Sequence, residues 1–196
     1  MSVLVDYQLR SLINNGRLKV LPLMKGGIQS NSIDVRLNNH FATYDIRYAT
    51  VELDPYSEES TRLGLQQCTV DTITLMKGAF LLAETMEYIE LPDDICATIE
   101  GKSSLARLGL TVHQTGGWID CGFEGTITLE MTNENIRPIK LTAGMPIAQL
   151  VFYQTNPAET PYNRKKTAKY NKQSGATGSR FYENPQEGSD KVDCKC

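Results

Sequence analysis

Apolar residues at Val5, Leu9, Leu12 and Ile13 share one face of a helix, because a 3.6-residue period brings positions i, i+3 and i+4 together. Ser2 offers a cap for this short amphipathic helix and Gly16 a stop. After Gly16 the pattern turns to strands. Residues 17–23 are apolar and close on Lys25-Gly26-Gly27, residues 32–37 alternate, and residues 69–75 alternate into the turn Lys77-Gly78. Residues 80–90 and 95–100 are further strand candidates, separated by Pro92-Asp93-Asp94, and residues 126–131, 139–141 and 147–153 complete the set. Many short strands with turn signals between them predict a mainly β chain folded as a barrel or double-sheet jelly roll. No internal repeat interrupts the pattern. From Thr155 onward Pro, Asn, Lys, Gly and Ser dominate. The expected organisation is therefore one β domain over residues 1–155 and an arm, not an independent domain, over residues 156–196.

Within this frame one position asks for a reason. The strand over 126–131 carries Glu130 among apolar neighbours. Burying an unpaired carboxylate is costly, so Glu130 either faces water or does chemistry, and such surroundings raise a carboxyl pKa. Upstream, residues 103–108 (SSLARL) lie between Gly101 and Gly109 and predict one or two helical turns. Ser103 and Ser104 would present hydroxyls beside the free N–H groups of that helix start, and Arg107 a guanidinium fork for an anion. A capping serine with a surface arginine is the plain alternative. Gly116-Gly117-Trp118-Ile119-Asp120 reads as a tight turn entering a strand, with glycines where main chain could approach a ligand. Asp120 would serve that turn.

Composition excludes several classes. The chain has 196 residues, 40% hydrophobic and 22% charged, as in an ordinary soluble domain. No apolar run approaches the ~20 residues that span a bilayer. The N-terminus lacks a basic segment followed by an apolar one, so no signal peptide is read. Five cysteines, odd in number and irregularly spaced, fit reduced thiols and a cytoplasmic location. Cys194 and Cys196 read as an inert terminal pair. Zinc deaminases place His-x-Glu ahead of Pro-Cys-x-x-Cys; here the only histidines are His40 and His113, and no Cys-x-x-Cys occurs, so no zinc is expected. The net charge is −3, yet residues 162–180 hold six basic residues and no acidic one. Subtracting those six charges leaves −9 on the rest. Charge alone leaves two readings of that stretch open, a solvated tail or a grip on a polyanion.

A resemblance resolves part of this. GKSSLARLGL followed by VHQTGGWID-x-GF-x-G-x-ITLE, with SIDVRL and LAETMEYIELPDDI before them and PYNR-x₄-AKY-x₂-Q-x-GAT-x-SR after, is similar to the signature of the dCTP deaminase family of the trimeric dUTPase superfamily. The likeness covers most of residues 28–180. It implies a distorted, dUTPase-like β-barrel or jelly roll, a homotrimer or dimer of trimers with active sites between subunits, and a C-terminal arm that closes over the nucleotide. It implies a hydrolase that deaminates dCTP to dUTP and ammonia, with Glu130 as general acid/base. Ser103 and Arg107 match catalytic helpers, and Lys102 and Ser104 match triphosphate ligands. Thr115, Gly116, Gly117 and Trp118 would read the pyrimidine edge through their backbone, and Asp120 would support the sugar-side turn. Gln149, Tyr162, Lys169 and Gln173 match nucleotide contacts. Mg²⁺ would enter with the triphosphate, and neither nucleic acid nor membrane is an expected partner. Some members also cleave dUTP to dUMP and pyrophosphate. Gly117-Trp118 resembles those two-activity members, in which Asp120 would act near the α-phosphate, while PYNR and AKY resemble the single-activity ones. A plain dUTPase is the alternative, and dTTP is a further candidate ligand.

Overall fold

A computed structural model describes residues 1–185. In chain order its elements are β1 (Ser2–Val3), α1 (Asp6–Asn14), β2 (Lys19–Leu21), β3 (Ile33–Tyr44), α2 (Glu58–Arg62), β4 (Leu65–Thr69), β5 (Thr72–Leu75), β6 (Phe80–Thr85) and β7 (Tyr88–Glu90). There follow β8 (Ile95–Gly101), α3 (Ser103–Ala106), β9 (Leu110–Thr111), β10 (Trp118–Ile119), β11 (Glu124–Gly125), β12 (Thr128–Asn133), β13 (Ile139–Thr142) and β14 (Pro146–Gln154). The main sheet runs β10-β8-β14-β3-β6-β12-β9, with β1 added to β14 and β4 to β3. Two small sheets, β11-β7-β2 and β13-β5, close its flanks. All pairings are antiparallel. The chain is mainly β, as the strand pattern predicts, and in place of a closed barrel the main sheet is an open, curled half-barrel.

The 12-residue β3 explains the curl. It pairs with β14 at its start and with β4 at its end, and its pairing with β6 shifts register between Leu37 and Phe41. A bulge of that kind bends a strand and lets one sheet wrap around a core. The core holds Ile33, Val35, Leu37, Ala83, Ile95, Ala97, Leu129, Met131, Leu150 and Phe152, all fully buried. These positions alternate along their strands, as a one-sided sheet requires. In β12, Leu129, Met131 and Asn133 point inward while Thr128, Glu130 and Thr132 stand on the outer face.

Three readings of the sequence differ from the structure. The helix begins at Asp6, not after Ser2: Ser2 pairs with Gln154 in a strand, and the Gln8 side chain accepts the Val5 N–H at 3.0 Å. Residues 69–75 divide between β4 and β5, and residues 80–90 between β6 and β7, each half joining a different sheet. The alternating pattern continues through these corners, so it marks strands without marking where the chain changes partner. Residues 45–64, which carry no strand signal, form a short 3₁₀ turn and α2.

Beyond Gln154 the chain folds back over the outer face of the main sheet. Ala158 and Tyr162 donate backbone N–H groups to Asp93 and Cys121, and Thr126 donates to Gln173. Ala176 is buried against Ala42 and Leu82, which explains why Leu82, on the outer face of β6, is itself buried. Gly122 makes this return possible: its φ is +79°, and a Cβ there would stand 2.7 Å from the Cβ of Pro161. Cys68, Cys96 and Cys121 carry free thiols; Cys194 and Cys196 lie outside the described residues. Among the described residues, no helix is long and apolar enough to cross a membrane.

Candidate active site

The outer faces of β6 and β12 form the floor of a cleft of about 500 Å³. Register fixes which side chains share it: Glu130 lies opposite Leu82, and Thr132 opposite Phe80. Leu82, Phe80, Thr128 and Glu130 line the floor, Gly116, Trp118, Ile119, Asp120 and Phe123 form one wall, and Tyr162, Tyr170, Gln173 and residues 177–179 form the roof.

Glu130 is the carboxylate that this floor surrounds with apolar groups. Burial pushes its pKa above the ordinary carboxylate range. The backbone N–H groups of Gln114 and of Glu130 itself, with the nearby His113, offset part of that rise. A carboxyl raised in this way is better suited to take and return a proton than an ordinary one. His113 packs against Gly117, and its Nδ1 is buried without a hydrogen-bond partner.

Asp120 lies on the wall. Trp118 Nε1 donates to its Oδ1 at 3.2 Å, and Lys165 Nζ, on the arm, to its Oδ2 at 2.8 Å. Trp118 remains half exposed and stacks on Tyr153, with ring centroids 6.1 Å apart. The roof is held by hydrogen bonds from the floor. Gln173 Nε2 donates to the Thr126 carbonyl at 2.9 Å, Thr177 Oγ1 donates to Gln173 Oε1 at 2.8 Å, and Thr128 and Thr177 share a hydrogen bond of 3.1 Å. Tyr162 packs on Phe123, and its hydroxyl accepts the Tyr170 N–H at 3.0 Å.

The residues expected at the site divide into two groups. Glu130, Asp120, Gly116, Trp118, Tyr162 and Gln173 line the cleft. Lys102, Ser103, Ser104, Arg107, Gln149 and Lys169 do not; nor do Thr115 and Gly117, although both belong to the turn that forms the wall. Ser103, Ser104 and Arg107 stand exposed on and just after α3. Lys102 Nζ pairs with Asp34 Oδ1 at 2.7 Å, and Gln149 accepts from Ser32 Oγ at 3.0 Å. Lys169 Nζ donates to Asn184 Oδ1 and lies over the Phe181 ring. Tyr170, Phe123, Ile127 and Thr128 are cleft residues that the sequence reading passed over. Thr128 was readable, two places before Glu130 on the same strand face; Tyr170 depends on the fold of the arm.

Among the described residues no three His, Cys, Asp or Glu side chains converge as a metal cage. A Mg²⁺ that arrives on phosphates keeps most of its waters and needs no such cage.

The sequence profile of a family described as dCTP deaminase-like matches residues 3–155. A protein of Methanoculleus marisnigri named "dCTP deaminase, dUMP-forming" is 54% identical over 188 residues, covering 96% of this chain and 100% of that protein. A Streptomyces coelicolor protein of the same name is 41% identical over 185 residues, covering 93% and 96%. Among solved structures, the 2′-deoxycytidine 5′-triphosphate deaminase of Agrobacterium tumefaciens aligns with a TM-score of 0.59 at 23% identity. That alignment covers 76% of this chain and 47% of the other, and it supports the fold alone.

Proposed function

The chain belongs to the dCTP deaminase-like family, and from that premise we propose that it converts dCTP to dUMP in two hydrolytic steps in one cleft. The observation that carries the reading is Glu130, whose pKa burial raises at the floor of that cleft. In the first step Glu130 takes a proton from a water as it adds to C4 of cytosine. It returns the proton to the amino group, the C4–N bond breaks, and ammonia leaves with dUTP formed. General acid/base help of this kind contributes about 10²–10⁴-fold. In the second step a water adds to the α-phosphorus and pyrophosphate departs, leaving dUMP. Asp120, which lines the same cleft, orients that water. The names of the two relatives, both "dUMP-forming", favour the second step.

Gly116 and Trp118 read the base, and Tyr162 and Gln173 cover the sugar from the arm. Thr115 and Gly117 act from the same turn. Ser103, Ser104, Arg107, Lys102, Gln149 and Lys169 meet the phosphates or the reacting water. All six lie off the cleft in a single chain; for the first five this fits a homotrimer in which one subunit lends them to the cleft of the next. On this reading residues 156–185 are a lid and the preceding β domain is the body. Mg²⁺ is carried by the triphosphate, where it neutralises charge on the phosphate oxygens.

A second reading is deamination that stops at dUTP. It is favoured by the two partners of Asp120, which engage both its carboxylate oxygens. A plain dUTPase would have no use for Glu130. Ammonia release and product analysis with dCTP and dUTP as separate substrates decide among the three. Equal ammonia and dUMP from dCTP support the two-step route, dUTP as the final product supports the second reading, and no ammonia from dCTP overturns both.

A further inference from the structure

Glu84 lies on β6, is 1% exposed, and takes part in four hydrogen bonds. Its Oε1 accepts from Asn38 Nδ2 at 2.8 Å and meets His40 Nδ1 at 2.6 Å. Its Oε2 accepts from Thr126 Oγ1 at 2.7 Å and from the backbone N–H of Gly175 at 2.6 Å. Two of these donors belong to β3, the third lies just before β12, and the fourth lies on the arm. A carboxylate can accept two bonds at each oxygen, which an amide cannot do. Glu84 does not line the cleft, so the proposed chemistry has no use for it.

Its position is nonetheless tied to the cleft. Thr128 lies opposite Glu84 as Glu130 lies opposite Leu82, so the two glutamates share one sheet face. Gly175 sits on the arm between Gln173 and Thr177, both in the roof. Its φ of +88° turns the chain there, and its N–H donates to a carboxylate that sits on β6 and is bonded to β3.

We propose that Glu84 is a positioning residue that latches the arm in its closed place over the nucleotide. The proposal rests on the functional reading above in taking the cleft as the nucleotide site. An arm that is closed a smaller fraction of the time weakens apparent nucleotide affinity by that fraction. Bound nucleotide still draws the arm shut, so turnover at saturation is preserved. Loss of the latch is therefore read in KM and not in kcat, whereas general damage to the β domain would lower kcat.

The test uses the full-length protein with Glu84→Gln and, separately, Gly175→Ala. A Cβ on Gly175 meets open space, so this second change strains only the arm backbone at its positive φ. Steady-state kinetics on dCTP should show KM raised about tenfold for Glu84→Gln and about fivefold for Gly175→Ala, with kcat within about twofold of wild type. Limited trypsin digestion at the exposed Lys165, Lys166 and Lys172 should run several-fold faster in both nucleotide-free variants. Adding dCTP in a Glu130→Gln background should restore protection. Wild-type KM and wild-type digestion rates in both variants would overturn the proposal, and so would a fall in kcat at unchanged KM. If Glu84→Gln does not fold, Gly175→Ala alone decides. If wild-type protein releases no ammonia from dCTP, the functional reading fails while the nucleotide-free digestion still reports on the latch.

Discussion

Glu130 is costly to keep charged where it stands, and that cost is open to measurement. Its folded pKa lies above its unfolded one. The sign follows: its contribution to stability is fully present below the unfolded pKa and is lost as pH rises through the folded pKa. Glu130→Gln should therefore raise Tm relative to wild type at pH 8, and the gap should close toward pH 4. The same change should lower deamination by at least ~10² while dCTP still binds. Turnover near normal, or a Tm gap that widens on acidification, would show that the base lies elsewhere. Asp120→Asn tests the wall. C4 and the α-phosphorus are separate targets, so cleavage of dUTP should fall more than deamination of dCTP, and the ratio of the two rates is the informative quantity. Glu130 was legible because β12 alternates cleanly and an acid on such a strand must be explained. Glu84 was not, because its partners come from three separate stretches of sequence, β3, Thr126 and the arm.

At the scale of elements, the strands of the core were legible from their period, and their partners were not. Alternation survives a corner, so the changes of sheet at residues 70–71 and 86–87 leave no mark in it. The change of composition after Thr155 was legible, but the path of the chain beyond it was not, since that path depends on Gly122 letting Pro161 come close. The arm also does more than a solvated tail would: it buries Ala176 and supplies one of the partners of Glu84. Truncation before Tyr162 should leave a folded β domain, because of residues 162–185 the main core takes only the partly buried Tyr162, but should abolish turnover or reduce it to a trace. Circular dichroism and dCTP kinetics check the two halves. A truncated chain that no longer folds would make the arm structural rather than a lid.

At the scale of the whole molecule, the division of the expected site residues becomes a prediction about mixtures. Glu130→Gln and Arg107→Ala should each be inactive alone. Co-assembled in equal amounts, they should recover about a quarter of wild-type activity, the chance that a cleft keeping Glu130 meets a neighbour keeping Arg107. No recovery would place both residues in one chain's own site. Activity should also survive a zinc-selective chelator and require added Mg²⁺; loss rescued only by Zn²⁺ would overturn the mechanism by carboxylate alone. The exposed position of α3, away from its own cleft, also has a genetic consequence. A chain crippled in both halves would silence the cleft it owns and the cleft it serves. In the proposed trimer an allele of that kind would act as a dominant negative, because a single defective copy would remove two of the three sites.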